Sequence, residues 1–117
     1  MRLTEITYPS AKPVDGYGPG FFRIGGTLIH GPALTGPNGT AGWGGFEDAE
    51  PLLALAGQID VLFIGTGVET AHLPPALRSQ LDAAEIGVEL MASPAACRTY
   101  NILLSEGRRV ALALIPV

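Results

Sequence analysis

A chain of 117 residues is long enough for one domain whose core needs neither a disulfide nor a metal. Its 11 acidic residues outnumber its 7 Lys and Arg, which gives a net charge of −4 and argues against a nucleic-acid partner. No apolar run is long enough to span a bilayer, and a lone cysteine is typical of a reducing compartment. We therefore expect a cytoplasmic protein without membrane insertion.

The first 46 residues predict antiparallel strands joined by hairpins. Most of the glycines lie here, and the short apolar stretches 3–8 and 21–30 are separated by turn-rich segments. Segment 36–39, Gly-Pro-Asn-Gly, contains the Asn-Gly pair that is favoured in a tight hairpin turn. We expect this half of the chain to form an antiparallel sheet.

From residue 48 onwards, helices and strands alternate. The periodicity predicts helices at residues 48–56, at 75–84 and from Ser93 onwards, and strands at 61–64, 88–91 and 109–115. Such alternation implies right-handed crossovers and a small parallel sheet. The prediction is a single α/β domain over residues 1–117.

The helix from Ser93 onwards has a well-marked start and an unusual composition. Ser93 is a natural N-cap, and Pro94 suits the first helical position. A buried stripe follows at helical spacing, formed by Ala96, Tyr100, Leu103 and Leu104. Asn101 lies on another face. Because Asn is a poor mid-helix residue, Asn101 is expected to have a tertiary or functional role.

A candidate ligand site lies at the end of the strand at 61–64. Gly65, Thr66 and Gly67 follow that strand, and open α/β sheets bind ligands at such strand ends. Neither a third fingerprint glycine nor a phosphate-binding lysine follows, so we predict no nucleotide cofactor. The alternative is that the two glycines only allow a tight turn out of the strand.

Arg98 is the candidate anion ligand on the helix that begins at Ser93. If this helix opens at the same sheet edge, its backbone N–H groups and Arg98 would form an anion site, with Tyr100 or Asn101 orienting the ligand. The alternative is a structural ion pair of Arg98 with Glu89 or Glu106.

Cys97 has two interpretations. A helix N-terminus beside a cation lowers a thiol pKa, which would suit a nucleophile or redox sensor. A buried cysteine acting as a small apolar residue is the alternative. His30 and His72 are distant in sequence, and no zinc signature is present. We assign no catalytic residue and no metal ligand, and expect no cofactor.

Tyr17 and Trp43 are the candidate partner-binding pair. Both lie in glycine-rich surroundings, where an exposed aromatic residue could contact a protein partner. The alternative is that they cap the hydrophobic core, as large aromatic residues commonly do.

Several segments together resemble the Mth-type domain family, from about residue 21 to the C-terminus. They are, in order, 64–67 (Ile-Gly-Thr-Gly), Pro74-Pro75, 87–89, Met91, 96–101 (Ala-Cys-Arg-Thr-Tyr-Asn) and 106–110. The resemblance implies a three-layer β/β/α fold, with a parallel central sheet and a second antiparallel sheet from the N-terminal half. Members include the adipogenesis-associated Mth-domain protein and a mitochondrial complex I assembly factor. The N-terminus lacks an Arg- and Ser-rich transit peptide, so we expect a bacterial or cytosolic member.

Two functional hypotheses follow. The first is a non-enzymatic binding module, an accessory or assembly factor for a respiratory or other membrane complex. Its protein partner would contact Tyr17, Trp43 and the loops of residues 65–73. The second is a cleft near Cys97 and Arg98 that binds a small anionic ligand or supports a thiol-dependent enzyme. A third possibility is a structural subunit that associates through its apolar end, residues 114–117.

Overall fold

A computed structural model of the chain describes residues 11–117. The strands are β1 Val14–Gly18, β2 Phe21–Ile24, β3 Thr27–His30, β4 Ala33–Gly36, β5 Gly39–Gly42, β6 Val61–Thr66, β7 Val88–Met91 and β8 Val110–Ile115. The helices are α1 Glu50–Leu53, α2 Pro75–Ala83 and α3 Ser93–Ser105, with a 3-10 turn at Gly45–Glu47. The strand predicted at residues 3–8 lies outside the described residues.

The strands form two sheets, which confirms the predicted α/β architecture. β1, β2 and β3 make an antiparallel sheet of three strands. The other five strands make the central sheet in the order β5-β4-β8-β6-β7, in which β8, β6 and β7 are parallel. The N-terminal half also supplies β4 and β5, which add to this sheet in antiparallel orientation. The predicted hairpin is present, but its two turn residues are Pro37 and Asn38 rather than the Asn-Gly pair, and Gly39 pairs with Gly36 as the first residue of β5.

The central sheet is covered on both faces, which makes three layers. The chain passes from β6 to β7 through α2 and returns to β8 through α3, so right-handed crossovers place the two helices on opposite faces. The small sheet and α3 bury one core, which includes Phe22, Tyr100 and Leu112. The other face packs against α1 and α2 through residues such as Leu62 and Leu81.

The predicted helix at residues 48–56 is much shorter in the structure. α1 spans Glu50–Leu53, and the chain then continues in turns to Gly57, whose φ is +79°. Asp48 is used in the preceding loop instead: its carboxylate accepts the Gly44 N–H at 3.0 Å and its carbonyl accepts the Trp43 indole N–H at 2.9 Å. Across residues 11–117, no helix combines the length and apolar character needed to cross a membrane.

Candidate functional site

The end of β6 and the start of α3 are in direct contact. The Ser93 N–H donates to the Gly67 carbonyl at 2.8 Å, and the Gly67 N–H donates to Ser93 Oγ at 2.9 Å. Ser93 Oγ in turn donates to the Ile115 carbonyl at 2.6 Å. One serine therefore connects the ends of β6 and β8 to the first turn of α3.

This junction is closed at its centre. A Cβ built on Gly65 would lie 2.7 Å from both Cα and Oγ of Ser93, and 2.8 Å from Cδ2 of Leu114. Gly65 therefore allows α3 to approach the sheet closely. Gly67 has a φ of +103°, which favours glycine at the turn out of the strand.

The prediction that Ser93 is the N-cap of α3 is wrong. The N-cap is Ala92, which has extended backbone angles, and no side chain caps the helix. Ser93 is already helical and fully buried, and its hydroxyl bonds to the two neighbouring strand ends. The helix starts one residue earlier than predicted because these tertiary partners occupy the serine hydroxyl.

Thr66 organises the loop that follows β6. Its hydroxyl donates to the Glu69 carbonyl at 2.7 Å, with the Met91 carbonyl 3.2 Å away, and accepts the Ala71 N–H at 3.0 Å. The loop presents Val68 to solvent with 72% of its surface exposed. Thr66 thus stabilises a loop that displays an apolar side chain.

Cys97 faces the core between α3 and the central sheet. Only 4% of its surface is exposed. Burial raises the pKa of its thiol to about 11, and the positive charge of Arg98 offsets this rise only in part. The pKa of the thiol is therefore raised, whereas the nucleophile or redox-sensor interpretation of the sequence required it to be lowered. The environment is that of a small apolar core residue.

Arg98 lies on the exposed side of α3. Within residues 11–117, the salt bridge joins Arg109 to Asp60 at 2.7 Å, and neither Glu89 nor Glu106 pairs with Arg98. The alternative of a structural ion pair with Glu89 or Glu106 is therefore not the arrangement found.

Tyr100 and Asn101 hold the start of β1. The Tyr100 hydroxyl donates to the Lys12 carbonyl at 2.7 Å. Asn101 accepts the Val14 N–H at Oδ1 and donates from Nδ2 to the Val14 carbonyl, both at 2.8 Å. Its amide thus bonds Val14 as a neighbouring strand would. These bonds are the tertiary role expected of Asn101. Burial raises the pKa of the Tyr100 hydroxyl to about 12.

Tyr17 and Trp43 do not form an exposed pair. Tyr17 is 43% exposed and stacks at a tilt on Phe22, at a ring distance of 6.5 Å. Trp43 is only 5% exposed and packs edge-on against Phe46 in the core that faces α1 and α2. The expectation of an exposed Trp43 is wrong, because a hydrogen bond and the aromatic contact hold it in the core, as the core-capping alternative describes.

Sequence reasoning placed the loops of residues 65–73 in the partner-binding surface but did not single out Val68, the large apolar side chain that this segment exposes. The Gly20 N–H donates to the Val117 carbonyl at 3.2 Å, which joins the turn after β1 to the end of the chain described. Gly67 lies against Pro116, next to Val68. We call Tyr17, Val68 and Val117 the end face, because they lie on three segments that approach one another at residues 116 and 117. The sequence feature that indicates an exposed apolar residue here is the isolated valine in the polar segment 66–70.

The described residues offer few groups for a metal. No three His, Cys, Asp or Glu side chains in residues 11–117 are arranged as ligands. The site is a junction of strand ends and a helix start, bordered by a polar loop that exposes Val68.

The layered fold and its closed junction define a three-layer α/β domain of the Mth type. Residues 14–115 match the family described as "protein of unknown function (DUF498/DUF598)". The chain belongs to this family.

Similarity to relatives extends over the whole chain. An uncharacterised protein of Rhodobacter capsulatus is 48% identical over 117 residues, which cover 100% of this chain and 94% of that protein. Mouse "NADH dehydrogenase [ubiquinone] 1 alpha subcomplex assembly factor 3" is 31% identical over 123 aligned positions. That match covers 99% of this chain but 66% of the mouse protein, just under two thirds of its length.

Solved structures share the fold. A Bartonella henselae protein described as an outer membrane protein superposes with a TM-score of 0.84 at 39% identity, covering 95% of this chain and 99% of its own. A Bordetella pertussis protein described as an Mth938-like domain superposes with a TM-score of 0.72 at 30% identity, covering 99% and 92%.

Proposed function

We propose that this protein is an accessory factor that acts through protein contacts and helps to assemble a respiratory or other membrane complex. The observation that carries the proposal is the similarity to complex I assembly factor 3, which extends over 99% of this chain. The proposed place of action is the cytoplasm, since the single cysteine is typical of a reducing compartment. The proposed activity is binding, without a catalytic step.

The end face is the proposed contact surface. Val68 and Tyr17 expose 72% and 43% of their surfaces, and aromatic and aliphatic residues of this kind anchor protein interfaces. Thr66 holds the Val68 loop through hydrogen bonds, so binding would cost little additional ordering of this loop. Trp43 has no place in this surface because it is buried.

The small-molecule alternative has less support. The N–H groups of Gly67 and Ser93, which an anion would need as donors, are already bonded to Ser93 Oγ and to the Gly67 carbonyl. Tyr100 and Asn101 are bonded to Lys12 and Val14 rather than directed to the junction. A thiol that reacts rapidly at neutral pH would favour the alternative, whereas the raised pKa of Cys97 favours a slow reaction.

The test compares partner capture by matched surface variants. Tagged protein, expressed in its own cells and crosslinked before lysis, is expected to retain subunits of a membrane complex. Val68→Ser and Tyr17→Ser should reduce their recovery by about tenfold, as the loss of an interface anchor does. Leu28→Ser and Ile102→Ser are controls, because these residues are 43% and 57% exposed but lie outside the end face.

Two outcomes would contradict the proposal. One is equal recovery of the subunits by all four variants, which would remove the end face. The other is an unchanged amount of assembled respiratory complex on native gels after deletion of the gene, together with no membrane-complex subunit among the captured proteins.

A further inference from the structure

Among residues 11–117, β5 forms an edge of the central sheet. Within the described residues its one strand partner is β4. Its four residues, Gly39-Thr40-Ala41-Gly42, include no charged residue, proline or bulge of the kind that blunts exposed edges. Such an edge is a template for an added strand.

The pairing with β4 shows which backbone groups of β5 are not bonded to β4. Gly36 and Gly39 close a two-residue hairpin, so the ladder bonds fall at Gly36–Gly39 and at Leu34–Ala41. Thr35 and Thr40 form the intervening pair, and their hydroxyl oxygens are 2.7 Å apart, as expected where side chains approach most closely. The backbone N–H and carbonyl groups of Thr40 and Gly42 therefore point away from β4.

A groove runs beside this edge and can receive side chains. Its volume is about 300 Å³. Leu34, Gly36, Gly39 and Ala41 line it from the hairpin, and Pro51 and Ala54 line it from the α1 side. A strand added to β5 would place alternate side chains on this face of the sheet. The glycines and alanines leave room for small apolar side chains there.

Charge indicates what kind of segment would bind. Residues 31–58, which include every residue lining the groove, contain no Lys or Arg and three acidic residues: Glu47, Asp48 and Glu50. Glu47 and Glu50 are exposed, and Glu50 directly precedes the groove-lining Pro51. A second copy would bring identical acidic surfaces together, whereas a basic segment would be attracted.

We infer that β5 binds an extended, basic segment of a partner protein by strand addition, with small apolar side chains at alternate positions in the groove. The inference rests on the proposed function, because it gives the chemistry of a protein segment that such a factor would bind. Backbone hydrogen bonds to Thr40 and Gly42 supply affinity, and Glu47 and Glu50 select Lys or Arg beside the strand.

The probe is the acetylated and amidated peptide Lys-Lys-Val-Thr-Val-Thr-Val-Lys-Lys. Its binding is followed by amide chemical-shift changes, which are expected to centre on residues 39–42. The counterpart in which Glu replaces each Lys should bind about tenfold more weakly, and raising the salt concentration should weaken the basic peptide. A version of the basic peptide N-methylated on alternate residues should not bind, because it lacks the donors that the edge requires.

Gly42 offers a matched pair of variants. Its N–H is not used by β4, so Gly42→Pro removes the outward donor while keeping the hydrogen bonds between β4 and β5. We expect this variant to bind the basic peptide about tenfold or more weakly than the parent protein. Gly42→Ala keeps the donor, and its added Cβ would have Pro32 O as nearest neighbour at 3.9 Å. Its affinity should match that of the parent protein. The double variant Glu47→Gln, Glu50→Gln should bind the basic peptide more weakly, and should bind the acidic peptide as tightly as the parent protein does or more tightly.

The inference is overturned if shifts centre elsewhere, if the N-methylated or acidic peptide binds as tightly, or if Gly42→Pro and Gly42→Ala bind alike. It is also overturned if native mass spectrometry shows a dimer that Gly42→Pro dissociates, since the occupant is then a second copy. If the peptide does not bind β5 but recovery of membrane-complex subunits still depends on Val68, the proposed function stands without this inference. If the peptide binds β5 but the Tyr17 and Val68 variants recover the subunits as well as the parent protein does, the end face is not the contact surface.

Discussion

Ser93 shows how a single side chain determines the shape of the candidate site. Its hydroxyl accepts from the Gly67 N–H and donates to the Ile115 carbonyl, while its backbone N–H donates to the Gly67 carbonyl. All these groups lie where three elements meet. Buried polar groups of this kind are costly when they lose their partner.

Ser93→Ala should therefore destabilise the protein strongly for so small a change. The Gly67 N–H and the Ile115 carbonyl would both lose a partner, at about 1–3 kcal/mol each, so we expect the free energy of unfolding to fall by about 2–6 kcal/mol. Urea titration measures this change. Ser105→Ala on the same helix is the control, because its exposed hydroxyl bonds only the local Ile102 carbonyl. Similar losses in both variants would contradict the assigned role.

At the scale of elements, α3 organises the fold by contacting strands from both halves of the chain. Its start meets the ends of β6 and β8, while Tyr100 and Asn101 secure the beginning of β1. The contacts of Asn101 join residues 87 positions apart. The family-like segment 96–101 therefore includes two residues that hold the fold together.

Asn101→Leu tests this connection between α3 and β1. It leaves the Val14 N–H and carbonyl unpaired, so we expect a loss of about 2–3 kcal/mol in the free energy of unfolding and much faster hydrogen exchange at the Val14 amide. Ile102→Ala, one position further along the helix and exposed, should leave exchange at Val14 unchanged. Slow exchange at Val14 in Asn101→Leu would show that the asparagine is dispensable for β1.

The two half-sequences differ in how well their elements could be predicted. The strands and helices after residue 60 match the predicted ones to within a few residues, because apolar periodicity reports burial on a regular element. The helix predicted at 48–56 is present only at Glu50–Leu53, and it starts later than predicted because Asp48 is bonded in the loop that packs Trp43. Periodicity does not encode such a contact.

At the scale of the whole molecule, burial of two acidic groups predicts sensitivity to alkali. The ordinary pKa values of a cysteine thiol and a tyrosine hydroxyl are 9.0 and 10.0, and burial raises those of Cys97 and Tyr100 to about 11 and about 12 in the folded protein. Above pH 9, the unfolded chain therefore binds fewer protons than the folded one, so the free energy of unfolding falls as the pH rises.

We expect this loss to begin near pH 9 and to continue through pH 11, the folded-state pKa of Cys97. Each group contributes up to about 1.4 kcal/mol per pH unit where only the unfolded form is ionised. Cys97→Ala removes the earlier of the two contributions, so its stability should fall less steeply between pH 9 and pH 10. Denaturant titrations at a series of pH values measure both slopes, normalised to pH 7. Parallel curves for the two proteins would contradict a buried thiol.

The sequence by itself determined the α/β class, the alternation after residue 60 and the hairpin at Gly36–Gly39, since these follow from local periodicity and turn chemistry. It also indicated that Asn101 had a particular role, without identifying its partner. Only the tertiary structure decided that Trp43 and Cys97 are buried, that Ser93 closes the junction and that Val68 is displayed. The physical reason is that exposure and hydrogen-bond partners depend on residues far apart in the chain, which local patterns do not specify.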